Sequence, residues 1–164
     1  MKILVLSDSH SGMSFMRRCV NTLRPDVLIH LGDYWGDGEV LHEEFPTIPI
    51  YRVPGNCDRY YTMHREPEIV RPTIGGVRFY LTHGHLHSVK MTTSMLLEAA
   101  KADGAQVVLY GHTHRADCRQ EGGMWVLNPG ACGASGGSVG LIRVEGGEIL
   151  SCRVLWQADL EEYE

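Results

Sequence analysis

A mixed α/β domain with two sheets is expected for this chain. Three features point to it. The first third alternates short apolar runs with helix-patterned segments, the order that parallel strands and crossover helices require. The remainder is rich in apolar runs joined by Gly-Gly pairs, the mark of hairpins. The length, 164 residues, suffices for one core but hardly for two, and no low-complexity tract, charge block or repeat divides it. Residues 1–164 are therefore read as a single domain.

Lys2 to Leu6 is a short apolar run suited to a buried strand. Met13, Met16, Val20 and Leu23 then recur at three- and four-residue spacing, one face of a helix, with Ser11 or Ser14 as cap and Pro25 as stop. Val27 to Leu31 is a second strand, a short helix follows near residues 38–45, and Ile48 to Val53 is a third strand. Ile69 to Ile74 and Val77 to Thr82 flank Gly75-Gly76 as a hairpin. A helix over Thr92 to Lys101 turns Leu96, Leu97 and Ala100 inward and ends at Gly104. Val107 to Tyr110 is another buried strand. Two more hairpins follow, 116–127 around Gly122-Gly123 and 139–155 around Gly146-Gly147. The acidic tail, 157–164, is expected to fray.

Composition excludes several classes. Lys and Arg total 15 against 20 Asp and Glu, a formal charge of −5, so no stable nucleic-acid complex held by a basic surface is expected. Apolar runs such as Ile3 to Leu6 are far too short for a membrane span of about twenty residues. The first run ends at Asp8 with no small-residue cleavage site behind it, so it is not read as a signal peptide. Five widely spaced cysteines without a Cys-x-x-Cys pair suit reduced thiols in a cytoplasmic protein. Against this ordinary background stand nine histidines.

Most of them fall where strands end, which is where open α/β sheets place ligands. The five ends read Asp8-Ser9-His10, Gly32-Asp33, Gly55-Asn56-Cys57-Asp58, Thr82-His83-Gly84-His85 and Gly111-His112-Thr113-His114. Taken alone, Asp-x-His is usually a helix-entry loop and Gly-Asp or Gly-Asn an ordinary turn. The two His-x-His pairs say more, because extended backbone points residues two apart the same way. Five ends carrying such side chains together point to one site. Carboxylate, imidazole and amide oxygen suit manganese, iron, zinc or nickel and exclude a soft thiolate site. Seven ligands are too many for one tetrahedral ion but fit two divalent ions sharing a carboxylate, an arrangement that recurs in displacement at phosphorus.

In this order the five motifs resemble the calcineurin-like metallophosphoesterase superfamily. The short length and Asn128-Pro129-Gly130 are similar to its small prokaryotic phosphodiesterase branch. The resemblance runs from Met1 to about Leu155. It implies two facing mixed β-sheets flanked by helices, an αββα sandwich. It implies one metal on Asp8, His10, Asp33 and His114. The second would sit on the same bridging Asp33 with Asn56, His83 and His112. Manganese is the first choice of ion, with nickel, iron or zinc as alternatives.

One position departs from the wider family. Where many members have a histidine able to protonate the leaving group, this chain has Cys57, a poorer acid match at neutral pH. His85 would take over that role or only contact the phosphate, and Asp58 would orient its neighbours. The implied mechanism is in-line attack at phosphorus by a hydroxide bridging the two metals. Charge on the non-bridging oxygens would be stabilised by the metals and His85. The substrate is expected to be a small phosphodiester or a nucleotide. The alternatives are a phosphomonoesterase or a non-catalytic metal-binding scaffold that acts through its surface.

The other histidines have plainer readings. His30 is a hydrogen-bonded core residue, His42 lies on a helix surface, His64 on a loop, and His87 near the site without a role. Tyr34-Trp35 and Tyr60-Tyr61 either line a pocket for an aromatic group or pack at a homo-oligomer interface.

Overall fold

The computed structural model describes residues 1–58 and 66–164; Tyr60-Tyr61 and His64 lie outside the described residues. In chain order the elements are β1 (Lys2–Leu6), α1 (Met13–Leu23), β2 (Val27–His30), α2 (Trp35–Glu44), β3 (Ile50–Arg52), β4 (Ile69–Val70), β5 (Thr73–Ile74) and β6 (Val77–Thr82). They continue with α3 (Ser94–Ala102), β7 (Val107–Leu109), β8 (Asp117–Glu121), β9 (Met124–Asn128), β10 (Ser138–Glu145) and β11 (Glu148–Trp156). One sheet runs β11-β10-β1-β2-β3; the other runs β4-β6-β7-β9-β8, with β5 also paired to β6. Each sheet holds three adjacent parallel strands: β1, β2 and β3 in one, with β3 at its edge, and β6, β7 and β9 in the other. Antiparallel strands complete the sheets: β10 and β11 in the first, β4, β5 and β8 in the second.

Strand alternation builds the layers. On β1, Ile3 and Val5 face a core shared with Phe79, Leu81, Val107 and Leu109 of the opposite sheet. Leu4 and Leu6 face the other way, onto Met16, Val20 and Leu23 of α1 and Leu41 of α2. On the outer face of the second sheet, Tyr80, Val108 and Val126 pack on Leu96 and Ala100 of α3. The result is helix, sheet, sheet, helix, the expected two-sheet sandwich. Among the described residues no helix is long and apolar enough to cross a membrane.

Local differences from expectation have physical causes. Neither Ser11 nor Ser14 caps α1: Gly12 stands at the cap without a side-chain bond, and the left-handed Ser11 before it gives its backbone N–H to Asp37 Oδ2 at 2.7 Å. The helix ends at Arg24 in the left-handed region, since the residue before Pro25 is kept out of the helical one. α2 starts at Trp35, earlier than expected, because the left-handed Tyr34 turns the chain into it. Residues 69–74 form two short strands instead of one. Arg71-Pro72 interrupts them, since proline has no N–H for the ladder, but the register on β6 is the same on both sides. The tail does not fray: Gln157–Tyr163 is a 3-10 helix whose Leu160 is fully buried in the cluster beneath α1, with Glu164 paired to Arg18 at 2.7 Å.

Candidate metal centre

The parallel ladders of both sheets run past their last strand residues into the loops that carry the candidate ligands. Leu31 N–H donates to Leu6 carbonyl at 2.8 Å and Asp8 N–H to Gly32 carbonyl at 3.0 Å, fixing the first loop against the second. Val53 N–H bonds the His30 carbonyl at 3.0 Å, and Gly111 N–H bonds the His83 carbonyl at 2.8 Å. Cys132 N–H, from beyond the other sheet's β9, bonds the Ser7 carbonyl at 3.1 Å. Strand ends from both sheets therefore meet in one place.

The loops are bent in an unusual way. Among the described residues, nine that are not glycine have positive φ, and five of the nine are Asp8, His10, Asp33, His112 and His114. Such backbone persists only where its surroundings over-determine it. Here they do. Two neighbouring glycines have no room for a side chain: a Cβ on Gly55 would collide with the Asp33 carboxylate, and one on Gly111 with Ser7 Oγ and Asp8 Oδ2. Asn128 donates to the Gly111 carbonyl at 3.1 Å and to Thr113 Oγ1 at 2.9 Å while accepting Gly130 N–H, so Asn128-Pro129-Gly130 buttresses the last loop.

Donor atoms converge in two groups, each within 4.8 Å: Asp8, His10 and His114 form one, and Asp8, Asp33 and His83 the other. The common member is Asp8, whereas the resemblance makes Asp33 the shared carboxylate. His112 joins through Nδ1, 3.2 Å from His83 Nε2. Asn56 opens the 3-10 turn Asn56–Asp58 and lies exposed, its amide 3.7 Å from Cys57 Sγ. The His-x-His pairs are not extended: Gly84 has φ 120°, and His112 and His114 are both left-handed. The bends send His112 to His83 and His114 to Asp8 and His10, so one pair serves both groups.

The donor set fits a divalent cation. Asp8 is fully buried and its Oδ1 makes no hydrogen bond, although His114 Nε2 lies 3.1 Å and His83 Nε2 4.0 Å away. A buried carboxylate oxygen left in this way is costly unless a cation meets it. The remaining oxygen accepts from Ser7 Oγ at 2.6 Å. His83 Nδ1 donates to the Leu31 carbonyl at 2.7 Å, which turns Nε2 toward the carboxylates, the usual support for a ligating imidazole. Burial works against charge on both Asp33 and His83, but their mutual bond outweighs it. The Asp33 carboxyl is held well below the usual range, with help from Cys57 N–H, and the His83 pKa is raised. Burial, then His83, then Lys90 push His112 down to about 4.

Asp58 is buried among backbone donors: Oδ2 accepts Asp33 N–H and Gly55 N–H, both at 2.8 Å, and Oδ1 accepts Trp35 N–H at 3.0 Å. Cys57 is exposed; desolvation and then the Asp33, Asp58 and Asp8 charges raise its pKa, so the thiol keeps its proton at neutral pH. His85 lies at the edge of the cluster, its ring 5.6 Å from that of His83 and 6.2 Å from that of His112. Its Nε2 is 3.3 Å from Glu68 Oε1, and burial and then His83 lower its pKa.

Glu68 escaped sequence reasoning. The hairpin register carried it: Ile69 sits opposite Thr82, so the residue before β4 arrives beside the His83 loop. A second unforeseen feature is a chain of bonds beneath the first loop. Gly32 N–H donates to His30 Nδ1 at 3.2 Å, which leaves Nε2–H for Ser9 Oγ at 2.9 Å, and Ser9 donates to Asp37 Oδ2 at 2.7 Å. His30 is thus the buried core histidine expected. His87 instead meets Tyr80 on the outer face of its sheet, and His42 is half-buried on α2. Tyr34 and Trp35, with His10, Asp37, Cys57 and Asp58, line a cleft of about 530 Å³.

With fold and site in view, the comparisons agree. The sequence profile of the calcineurin-like phosphoesterase superfamily domain matches residues 1–146, and the chain belongs to that family. It is 31% identical over 134 residues to the probable metallophosphoesterase YsnB of Bacillus subtilis, covering 80% of this chain and 75% of that one. It is 28% identical over 146 residues to the phosphodiesterase MJ0936 of Methanocaldococcus jannaschii, covering 80% and 84%. Among solved structures, a predicted phosphoesterase from Streptococcus pneumoniae aligns at TM-score 0.73 and 25% identity over 96% of this chain and 90% of that one. Zinc-bound Vps29 of Entamoeba histolytica shares the fold at TM-score 0.73 and 21% identity, over 96% and 99%.

Proposed function

We propose that this chain is a phosphodiesterase working with two divalent ions, manganese first among them, on Asp8, His10, Asp33, Asn56, His83, His112 and His114. The observation that carries the reading is the buried Asp8 oxygen without a hydrogen bond, set among imidazoles delivered by separate strand ends. Such ions, when bound, polarise phosphoryl oxygens and lower the pKa of water towards neutrality.

The chain's own side chains do the rest. Ser7, the Leu31 carbonyl and Cys57 N–H orient Asp8, His83 and Asp33. Asp58 locks the Asp33 loop to the Asn56–Asp58 turn. His85, turned by Glu68, is assigned to the phosphoryl oxygens. Cys57, protonated and exposed on the cleft wall, is assigned to the leaving group. A thiol donates less readily than imidazolium, so good leaving groups and diesters are favoured over alkyl monoesters. Five free thiols support a reducing compartment, the cytoplasm.

The test pairs bis(p-nitrophenyl) phosphate with p-nitrophenyl phosphate, with manganese and after chelation. The diester should turn over faster than the monoester. Chelation should abolish both activities. Equal or faster monoester hydrolysis would make this a phosphomonoesterase. No hydrolysis with manganese, nickel or zinc would leave the scaffold reading.

A further inference from the structure

A second cleft, of about 760 Å³, borders the last ligand loop. Thr113, between His112 and His114 in the chain, is part of its wall, so the cleft and the metal centre share one loop. Its lining carries Lys90, Arg115 and Arg119 against a single carboxylate, Asp117, on a chain whose formal charge is −5.

The three cations are not equivalent. Arg119 is spent within the protein: it pairs with Asp117, with Glu121 at 2.9 Å, and with Thr93 Oγ1 at 2.8 Å. Lys90 and Arg115 form no ion pair among the described residues, and both are exposed. Arg115 is nonetheless held in place at its backbone, where N–H bonds Thr113 Oγ1 at 3.1 Å, itself fixed by Asn128. Two uncompensated cations facing one concave surface suit a group with two negative charges, and the guanidinium fork suits phosphate oxygens. An internal diester carries one negative charge; a terminal phosphomonoester carries nearly two.

We propose that this cleft binds a terminal phosphate on the substrate's second arm, so that the preferred substrate is a phosphodiester that also carries a phosphomonoester, as in a 3′-phosphorylated nucleotide ester. This rests on the phosphoesterase reading of the adjoining centre. Lys90 and Arg115 would be specificity-determining side chains for it.

The experiment has a binding arm and a turnover arm. By calorimetry, manganese-loaded protein should bind thymidine 3′,5′-bisphosphate about tenfold or more tighter than thymidine 5′-monophosphate, as one or two charge-assisted hydrogen bonds would give. In turnover, a 3′-phosphate on thymidine 5′-(p-nitrophenyl phosphate) should lower KM by a similar factor. Both ratios should fall to near one in the Lys90→Ala/Arg115→Ala double variant, whose changes are confined to exposed side chains. Ratios near one in the parent, or unchanged in the variant, would overturn the subsite. A binding preference that Lys90 and Arg115 carry, with neither ester hydrolysed, would support the subsite and remove the phosphodiesterase reading.

Discussion

Asp8, His10, Asp33, His112 and His114 combine a ligand-type side chain with a left-handed backbone. Each such residue is destabilising by about 1–3 kcal/mol, so hydrogen bonds must hold it there. The Gly32–His30–Ser9–Asp37 chain is one such hold, and it depends on a neutral imidazole, because protonated Nδ1 has no lone pair for Gly32 N–H. Complete burial lowers the His30 pKa from 6.5 to about 4. The folded state therefore binds fewer protons than the unfolded chain between those values. Its contribution to stability is whole above pH 6.5 and is lost as pH falls through about 4. The loss should total on the order of 3 kcal/mol. Denaturant unfolding of metal-free protein from pH 7 to pH 4 should show a steeper decline in the parent than in His30→Gln. Parallel declines would remove His30 from the account.

At the scale of elements, the 3-10 turn after β3 is tied to the chain after β2 by two of the three backbone N–H groups that Asp58 accepts, those of Asp33 and Trp35, while the third, from Gly55, closes the turn itself. Asp58→Ala frees all three and should weaken manganese binding by about 10–100-fold, as loss of a supporting group around a metal does. A calorimetric titration checks this; parent-like affinity would show that the loop holds its shape without the tie. Element order, hairpins and buried strands were legible in the sequence because apolar runs, Gly-Gly pairs and Pro25 each report a local constraint. What was not legible depended on tertiary partners. Ser11 sits before the cap in a left-handed turn, its backbone N–H held by Asp37 from another helix. The tail reads as acidic and loose, yet Leu160 finds a place beneath α1. The His-x-His pairs looked extended, but their loops bend to meet Asp8 and His83. Glu68 showed no motif and was reachable only by carrying the hairpin register one residue further.

At the scale of the whole molecule, the two sheets bring together strand ends that are far apart in the chain, so that Asp8 and His112, 104 residues apart, share a hydrogen bond of 3.3 Å. The five residues of the two donor groups, Asp8, His10, Asp33, His83 and His114, were readable from the sequence as residue types at strand ends. Their division into two groups was not, because it is set by loop bends; the groups meet at Asp8, while the family pattern shares Asp33. Paired metal binding underlies the proposed activity, and manganese titration of purified, metal-free protein measures it directly. Two equivalents per chain are expected in the parent, and loss of the pair, with loss of diester hydrolysis, in Asp33→Asn. One equivalent in the parent, or two retained with full activity in Asp33→Asn, would contradict that expectation.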